Sequence, residues 1–404
     1  MKERHPLITL LATAFLITGS LVGAGILGLP IEAGIPGFFP SVLMILIFGS
    51  GMYFTSLVLA QENLETRSEN FNFPSLYSLH LGNFGKWTAI VVHLFILYGL
   101  LIAYLVGATA IIADLLHITH HLNWVLFILF CILTLLSATG VKLASEYNTP
   151  LVILLCLIFV AVIFISVKNV HFIRLTHTHW IFTPVVAPII VTSFFFQNLI
   201  PDVTKNLSWK KSHVFTAISI GMIICALMNI LWTGIGIGDL PFAHNINSLV
   251  HAYQHQLPAN IPMAHVLHST VFTVLTALFA LLAIVTSFIA QSVSLMSFNR
   301  DLMEHHFKIS SKLFCAALTF APPLIISLIN PNIFMSALNV TGGIGIIILF
   351  GVLPCALAII KKSLSRPFKI AGWIFLILFL IVLLFEIASV VGLIHISFAS
   401  LSHA

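Results

Sequence analysis

The chain has 404 residues, of which 59% are hydrophobic and only 7% charged, with a formal net charge of +5. Soluble domains carry about a quarter charged residues, so this composition, with a mean hydropathy of +1.11, excludes a soluble domain and defines an all-α polytopic membrane protein. The basic residues sit in short loops between apolar runs, so the positive charge does not signify nucleic-acid binding. Cys131, Cys156, Cys225, Cys315 and Cys355 all fall inside apolar runs without metal-ligand spacing, and they read as small core residues rather than a disulfide or metal framework.

A helix needs about 20 apolar residues to cross the hydrocarbon. Apolar runs between polar breaks predict eleven spans, near 7–34, 37–60, 87–113, 122–140, 149–167, 182–204, 213–237, 265–298, 312–330, 333–360 and 370–396. The first opens on Lys2-Glu3-Arg4, as a signal peptide would. No small-residue cleavage site follows, so it reads as a retained span. Within it stands Ile17-Thr18-Gly19-Ser20-Leu21-Val22-Gly23-Ala24-Gly25-Ile26-Leu27-Gly28-Leu29-Pro30. Glycine weakens a helix and proline removes a donor, so the spacing predicts a span that unwinds partway. Unwound backbone survives at membrane depth only against protein or a cavity. There the amides opening one half-helix attract an anion and the carbonyls ending the other attract a cation, which is the binding device of secondary transporters. Taken alone, the stretch also reads as a helix with small residues for close packing.

The sixth run repeats the interruption in Ile190-Val191-Thr192-Ser193-Phe194-Phe195-Phe196-Gln197-Asn198-Leu199-Ile200-Pro201-Asp202. Interrupted first and sixth spans suggest two five-span repeats with a binding site where they meet. The segment 239–264, rich in Asn, His and Pro, reads either as a lid or as surface filler. On the eighth span, Ala283, Thr286 and Ser287 share a helix face, and hydroxyl ligands suit a hard cation. The same hydroxyls also commonly bond back to their own helix. Intramembrane ionisable groups are functional candidates by default, and here they are Glu32, His93, Asp202 and Glu386.

Charge asymmetry sets the orientation. With the N-terminus inside, the alternation of loops leaves only Lys168 and Arg174 outside and all other lysines and arginines inside. This predicts an odd number of spans, with the C-terminus outside. The histidines go the other way: His117, His120, His121, His171, His177, His179, His244, His251, His255, His265 and His268 fall in outside loops. His177-Thr-His179 is the one metal-like spacing, but no Cys or Asp joins it, and the cluster reads as polar loop surface tuned to an acidic exterior.

Thr18 to Pro30, together with Thr192-Ser193-Phe194 and Ile200-Pro201, Ala283-Ile284-Val285-Thr286-Ser287-Phe288, and Pro322-Pro323-Leu324, resembles the hydroxy/aromatic amino acid permeases, the bacterial tryptophan and tyrosine permeases. The resemblance is collinear over almost the whole chain. It implies the leucine-transporter-like fold of the amino acid–polyamine–organocation superfamily, with a 5+5 inverted repeat, alternating access and ion-coupled amino acid uptake, usually with a proton. On that reading 1–404 is one transmembrane domain, with repeat one near 7–167, repeat two near 182–360 and an extra helix near 370–396. One departure stands out: where the family typically carries Gly-Phe-His-Gly, this chain reads Phe195-Phe196-Gln197-Asn198.

A buried amino acid zwitterion needs partners for both charges. The expected carboxylate site is the backbone amides around Ser20, Val22, Gly23, Ala24 and Gly25. The ammonium is assigned to carbonyls near Thr18, Gly19, Ser193 and Phe194. Side-chain contacts are expected from Phe194, Phe195, Phe196 and Gln197, and from Tyr98 or Tyr104 on span three. For the ion, Ala283, Thr286 and Ser287 with Gly19 and Val22 resemble the fold's sodium site, while the family implies a proton. No organic cofactor is called for.

The leading expectation is thus a proton-coupled symporter of aromatic or other neutral amino acids in a bacterial inner membrane, with the amino acid and membrane lipid as its partners. A sodium-coupled carrier of another amino acid keeps the same fold. A non-transporting sensor would usually add a soluble domain, and no loop or terminus here is long enough. A membrane enzyme lacks a His/Asp/Glu cluster, nucleophile elbow or phosphate loop.

Overall fold

A computed structural model describes residues 6–394 apart from 68–71, 140, 244, 305–307, 310 and 363. Lys2, Glu3, Arg4, His244 and the end of the last apolar run lie outside the described residues, as does the side chain of Lys142. The helices are α1 (Pro6–Leu21), α2 (Ala24–Gly34), α3 (Phe38–Thr66), α4 (Phe73–Leu115), α5 (Leu122–Thr139), α6 (Val141–Ser166), α7 (Phe172–Leu175), α8 (Thr183–Ser193) and α9 (Ile200–Asn206). They continue as α10 (Lys211–Asp239), α11 (Leu249–Gln254), α12 (Asn260–Leu267), α13 (Thr270–Leu302), α14 (Lys312–Ile329), α15 (Phe334–Val340), a π-helix (Thr341–Val352), α16 (Leu353–Ile360) and α17 (Arg366–Val390).

Among the described residues ten helices are long and apolar enough to cross a membrane, and α1 with α2, bent by 53°, makes an eleventh. These are the eleven expected runs, each within a few residues except the third. That helix begins at Phe73, capped by the Asn72 side chain accepting from the Ser75 amide at 2.8 Å. It kinks at Gly82, whose φ of 64° is open to glycine. The polar sequence before residue 87 hid this opening segment.

Burial follows the broken helices. Every residue of α2 is buried, as is α8 from Val185 to Ser193. The rim helices instead expose apolar side chains such as Trp124, Leu157, Ile329 and Leu384. The segment 239–264 carries two short helices, α11 and the start of α12. It is fastened to the bundle, with the Ala259 amide donating to the Leu27 carbonyl at 2.8 Å and Gln256 Oε1 accepting from the Ser336 amide at 3.1 Å. At the lysine-rich end, Lys361 Nζ lies 2.5 Å from Glu62 Oε1 and 2.6 Å from Glu65 Oε2, tying the end of α16 to that of α3.

Candidate functional site

The first span breaks later than the sequence suggested. α1 runs through Leu21, and the last turn bond entering the break joins the Val22 amide to the Thr18 carbonyl at 2.9 Å. Gly23 is extended, with φ −110° and ψ −156°, and α2 starts at Ala24. A helix leaves its first amides and last carbonyls without partners of its own. The free donors are therefore Gly23, Ala24, Gly25 and the residues just after them, and the free carbonyls follow Thr18. The assignment of the Ser20 and Val22 amides to a carboxylate is corrected, since both are spent within α1. So is that of the Thr18 carbonyl to an ammonium. The Thr18 hydroxyl is occupied as well, donating to the Ala14 carbonyl at 3.0 Å.

Three further helices converge on this break. A Cβ built on Gly23 would stand 3.3 Å from Ser287 Oγ of α13 and 3.4 Å from the Tyr104 hydroxyl of α4. Ser287 Oγ is buried and has no hydrogen-bond partner of good geometry. A Cβ on Gly25 would stand 2.7 Å from Ser193 Oγ and 3.0 Å from the Ser193 amide nitrogen at the end of α8. Spans one, three, six and eight thus meet around Gly23 and Gly25, with hydroxyls facing the only side-chain-free stretch of the break. Gly19 instead packs against Val152 of α6.

The sixth span breaks at Phe194-Phe195-Phe196 and resumes through a short turn at Gln197–Leu199 into α9. The Ser193 carbonyl accepts from Cys225 Sγ of α10 at 3.4 Å, a partner the sequence did not suggest. The three phenylalanines are all buried but do not share one wall. Phe194 turns onto α3, its ring 3.1 Å from where a Cβ of Gly49 would be, and it lines a cavity of about 280 Å³ with Tyr53, Ser219 and Met222. Phe195 packs on Phe350 of the π-helix, ring centroids 5.1 Å apart, beside the cluster of Phe73, His93 and Phe298. Gln197 braces the break: its Oε1 accepts from the Phe196 amide at 3.0 Å and its Nε2 donates to the Met52 carbonyl at 3.2 Å. Phe194 and Gln197 thus both turn onto α3.

Tyr98 also leaves the expected set. Its hydroxyl donates to the Leu318 carbonyl of α14 at 2.7 Å, one helix face away from Tyr104. On α13 the two hydroxyls part company. Thr286 Oγ1 bonds back to the Leu282 carbonyl at 2.8 Å, whereas Ser287 faces Gly23. Ala283 is fully buried. Asn198 donates to Gln291 Oε1 of α13 at 3.3 Å, which links the sixth span to the eighth.

At the other end, His177 and His179 stack edge to face with ring centroids 4.3 Å apart, and the His179 amide donates to the Pro36 carbonyl at 2.7 Å. Among the described residues no three His, Cys, Asp or Glu side chains are grouped to hold a metal ion. His265 pairs with Asp114 at 3.0 Å, beside a cavity of about 530 Å³.

Two interrupted helices meeting at Gly25 and Ser193 inside a bundle of eleven apolar spans define a membrane transporter of the broken-helix kind. The fold agrees: the manganese transporter of Eremococcus coleocola, solved with an aromatic bis-isothiourea substituted compound, superposes with a TM-score of 0.63 at 15% identity, covering 99% of this chain and 92% of that one. The chain belongs to the tryptophan/tyrosine permease family, whose profile matches residues 8–391. It is similar to tyrosine-specific transport system 1 of Haemophilus influenzae, 24% identical over 82% of this chain and 83% of that one. It is likewise similar to the tryptophan-specific transport protein of the same organism, 26% identical over 97% and 96%. Glutamine transporter 2 of Aliivibrio fischeri is 23% identical over 82% and 84%. The protein is a multi-pass membrane permease, not an enzyme.

Proposed function

We propose that this permease is a symporter that imports aromatic or other neutral amino acids across a bacterial inner membrane, coupled to protons, by alternating access. The observation that carries the reading is the convergence of Tyr104, Ser287 and Ser193 on Gly23 and Gly25. The amides of Gly23, Ala24 and Gly25, at the positive end of the eleven-residue helix α2, suit a carboxylate. The carbonyls ending α1 and the hydroxyls of Tyr104 and Ser287 suit an ammonium. Two five-span inverted repeats, with the N-terminus inside and the C-terminus outside, accord with the interrupted first and sixth spans and with the loop charges.

The relatives are named for tyrosine, tryptophan and glutamine, which supports a substrate among aromatic and neutral amino acids. Phe195-Phe196-Gln197-Asn198 replaces a glycine-bearing run, and three of its members are committed to packing or bracing. Ser287 Oγ, buried beside Gly23 and next to the Tyr104 hydroxyl, favours a sodium ion as the second reading of the coupling.

Purified protein in proteoliposomes should accumulate labelled tyrosine, tryptophan or glutamine when a pH gradient, inside alkaline, is imposed. Accumulation that needs a sodium gradient would move the coupling to Ser287. Failure of every neutral amino acid under both gradients would overturn the symporter reading.

A further inference from the structure

Glu32 sits on α2, eight residues and so about 12 Å beyond Ala24 along the same helix, and is only 1% exposed. Its Oε1 accepts from Asn339 Nδ2 of α15 at 2.8 Å. Its Oε2 is buried without a hydrogen-bond partner, and so is Asn339 Oδ1. A second acid approaches from α17: Glu386 is 6% exposed, and its side chain occupies the space a Cβ of Gly343 would take, with Cγ 2.6 Å from that position. Glu386 lies within electrostatic range of Glu32, and Tyr253 of α11 within range of both.

No described lysine or arginine offsets these carboxyls. α8 and α15, packed against α2, carry no titratable side chain. On the other neighbours, Glu62 and Glu65 of α3 pair with Lys361, Asp114 of α4 with His265, Asp239 of α10 with Ser166 and Arg300 of α13 with Glu304. His251 of α11 stacks on His255, His80 of α4 lies 3.5 Å from Glu62, and Lys211 of α10 lies over the Phe215 ring. The helices α4 and α10 also carry Lys86 and His213. His93 of α4 stacks on Phe298, and Tyr104 faces Gly23.

An unpaired carboxylate in such a place loses several kcal/mol of solvation, and a second negative charge beside it adds repulsion. Structural acids avoid this by finding a cation; these two have none among the described residues. A carboxyl that takes up and releases a proton needs an amide partner able to serve both states. Asn339 is one: Nδ2 donates to the carboxylate, and the unpartnered Oδ1 can accept from the protonated acid after the amide turns.

The acid is also wired to the break. The Leu338 carbonyl, next to Asn339, accepts from Thr192 Oγ1 at 3.0 Å, and Thr192 precedes the Ser193 that faces Gly25. Glu32 shares the rigid α2 with Gly25 itself. A change in the Glu32–Asn339 contact therefore bears on both half-helices that build the amino acid site.

We propose that Glu32 is the group that carries the coupled proton, held on Oε2, with Asn339 as its partner and Glu386 as the neighbouring carboxyl that keeps the pair from being doubly charged. The proton is taken from the medium on the side to which the site opens and returned to the medium on the other. This deepens the symporter reading above and rests on it.

The test compares wild type with Glu32→Gln in proteoliposomes, following both accumulation driven by a pH gradient and substrate exchange without any gradient. Glu32→Gln should lose at least tenfold in driven accumulation while exchange falls far less, and Glu386→Gln should shift the pH dependence of the driven rate. Equal pH-driven accumulation by wild type and Glu32→Gln would overturn Glu32 as carrier and leave proton symport standing. Wild-type accumulation that ignores the pH gradient, or follows a sodium or manganese gradient instead, would overturn both. An infrared readout is independent of transport. The carbonyl stretch of a protonated carboxyl in purified protein should titrate in wild type and be missing in Glu32→Gln; an unchanged band in that variant would contradict the assignment.

Discussion

Gly25 of α2 faces Ser193 of α8 so closely that a Cβ on Gly25 would stand 2.7 Å from Ser193 Oγ and 3.0 Å from both its Cα and its amide nitrogen. The hydroxyl can turn aside, but the backbone of Ser193 is held by the Phe194 amide bonding to the Ile190 carbonyl at 3.1 Å and by Cys225. Gly25→Ala should therefore push the two half-helices apart at a cost of about 1–3 kcal/mol. Uptake should fall at least tenfold with membrane levels near wild type. Adding Ser193→Gly removes the hydroxyl but not the backbone contact, so recovery should be partial. Full activity of Gly25→Ala alone would mean that the two spans do not meet here during transport.

Tyr104 and Ser287 are the side-chain hydroxyls nearest Gly23. Each neutral hydrogen bond to a ligand is worth about 0.5–1.5 kcal/mol, so Tyr104→Phe and Ser287→Ala should each weaken amino acid binding by about two- to tenfold. Tyr98→Phe is the contrast. It removes a bond to the Leu318 carbonyl on α14, so it should lower the melting temperature and leave substrate affinity close to wild type. Comparable affinity losses at Tyr98 and Tyr104 would contradict the placement.

Phe195 lies in the break of the sixth span. Its ring is 4% exposed and packs on Phe350 at 5.1 Å. Phe195→Gly should open a cavity costing about 3–5 kcal/mol and reduce uptake of all substrates together. Selective gain of one substrate with unchanged stability would show the ring to be a specificity wall rather than packing.

The spans and their interruptions were legible because each rests on local chemistry: hydropathy over a bilayer length, and Gly or Pro where a helix must fail. Gly23, Gly25 and Ser193 came from that signal. Which way a side chain turns at a break is tertiary, and there the sequence was mute. Phe194 turns onto Gly49 because α3 offers a side-chain-free groove, and Gln197 turns to Met52 because a broken helix needs a brace. Tyr98 and Tyr104 lie six apart on α4, far enough around the helix to face different neighbours. Glu32 and Glu386 were recognisable as intramembrane acids. That Asn339 lies against Glu32 depends on how span ten packs, which no local pattern encodes.

The pair His177 and His179 gives a pH dependence outside the spans. Burial holds His179 below the usual histidine range, and His177 beside it adds repulsion between like charges. The undocked segment takes up its proton in the ordinary range, so docking is complete above that range and weakens as pH falls through it. The protection factor of the His179 amide, bonded to the Pro36 carbonyl, should fall between neutral pH and about pH 5, and His179→Phe should abolish the change. Protection independent of pH in the wild type would mean that docking of this segment does not depend on the protonation of His179.

The central claim is that the broken first span holds the amino acid, and equilibrium binding of labelled tyrosine, tryptophan and glutamine to purified protein tests it most directly. Wild type should bind at least one of them saturably, and Gly23→Leu, which sets a bulky side chain between Tyr104 and Ser287, should abolish that binding while keeping its helical content. Saturable binding of the same amino acid by Gly23→Leu with unchanged affinity would place the site elsewhere in the bundle.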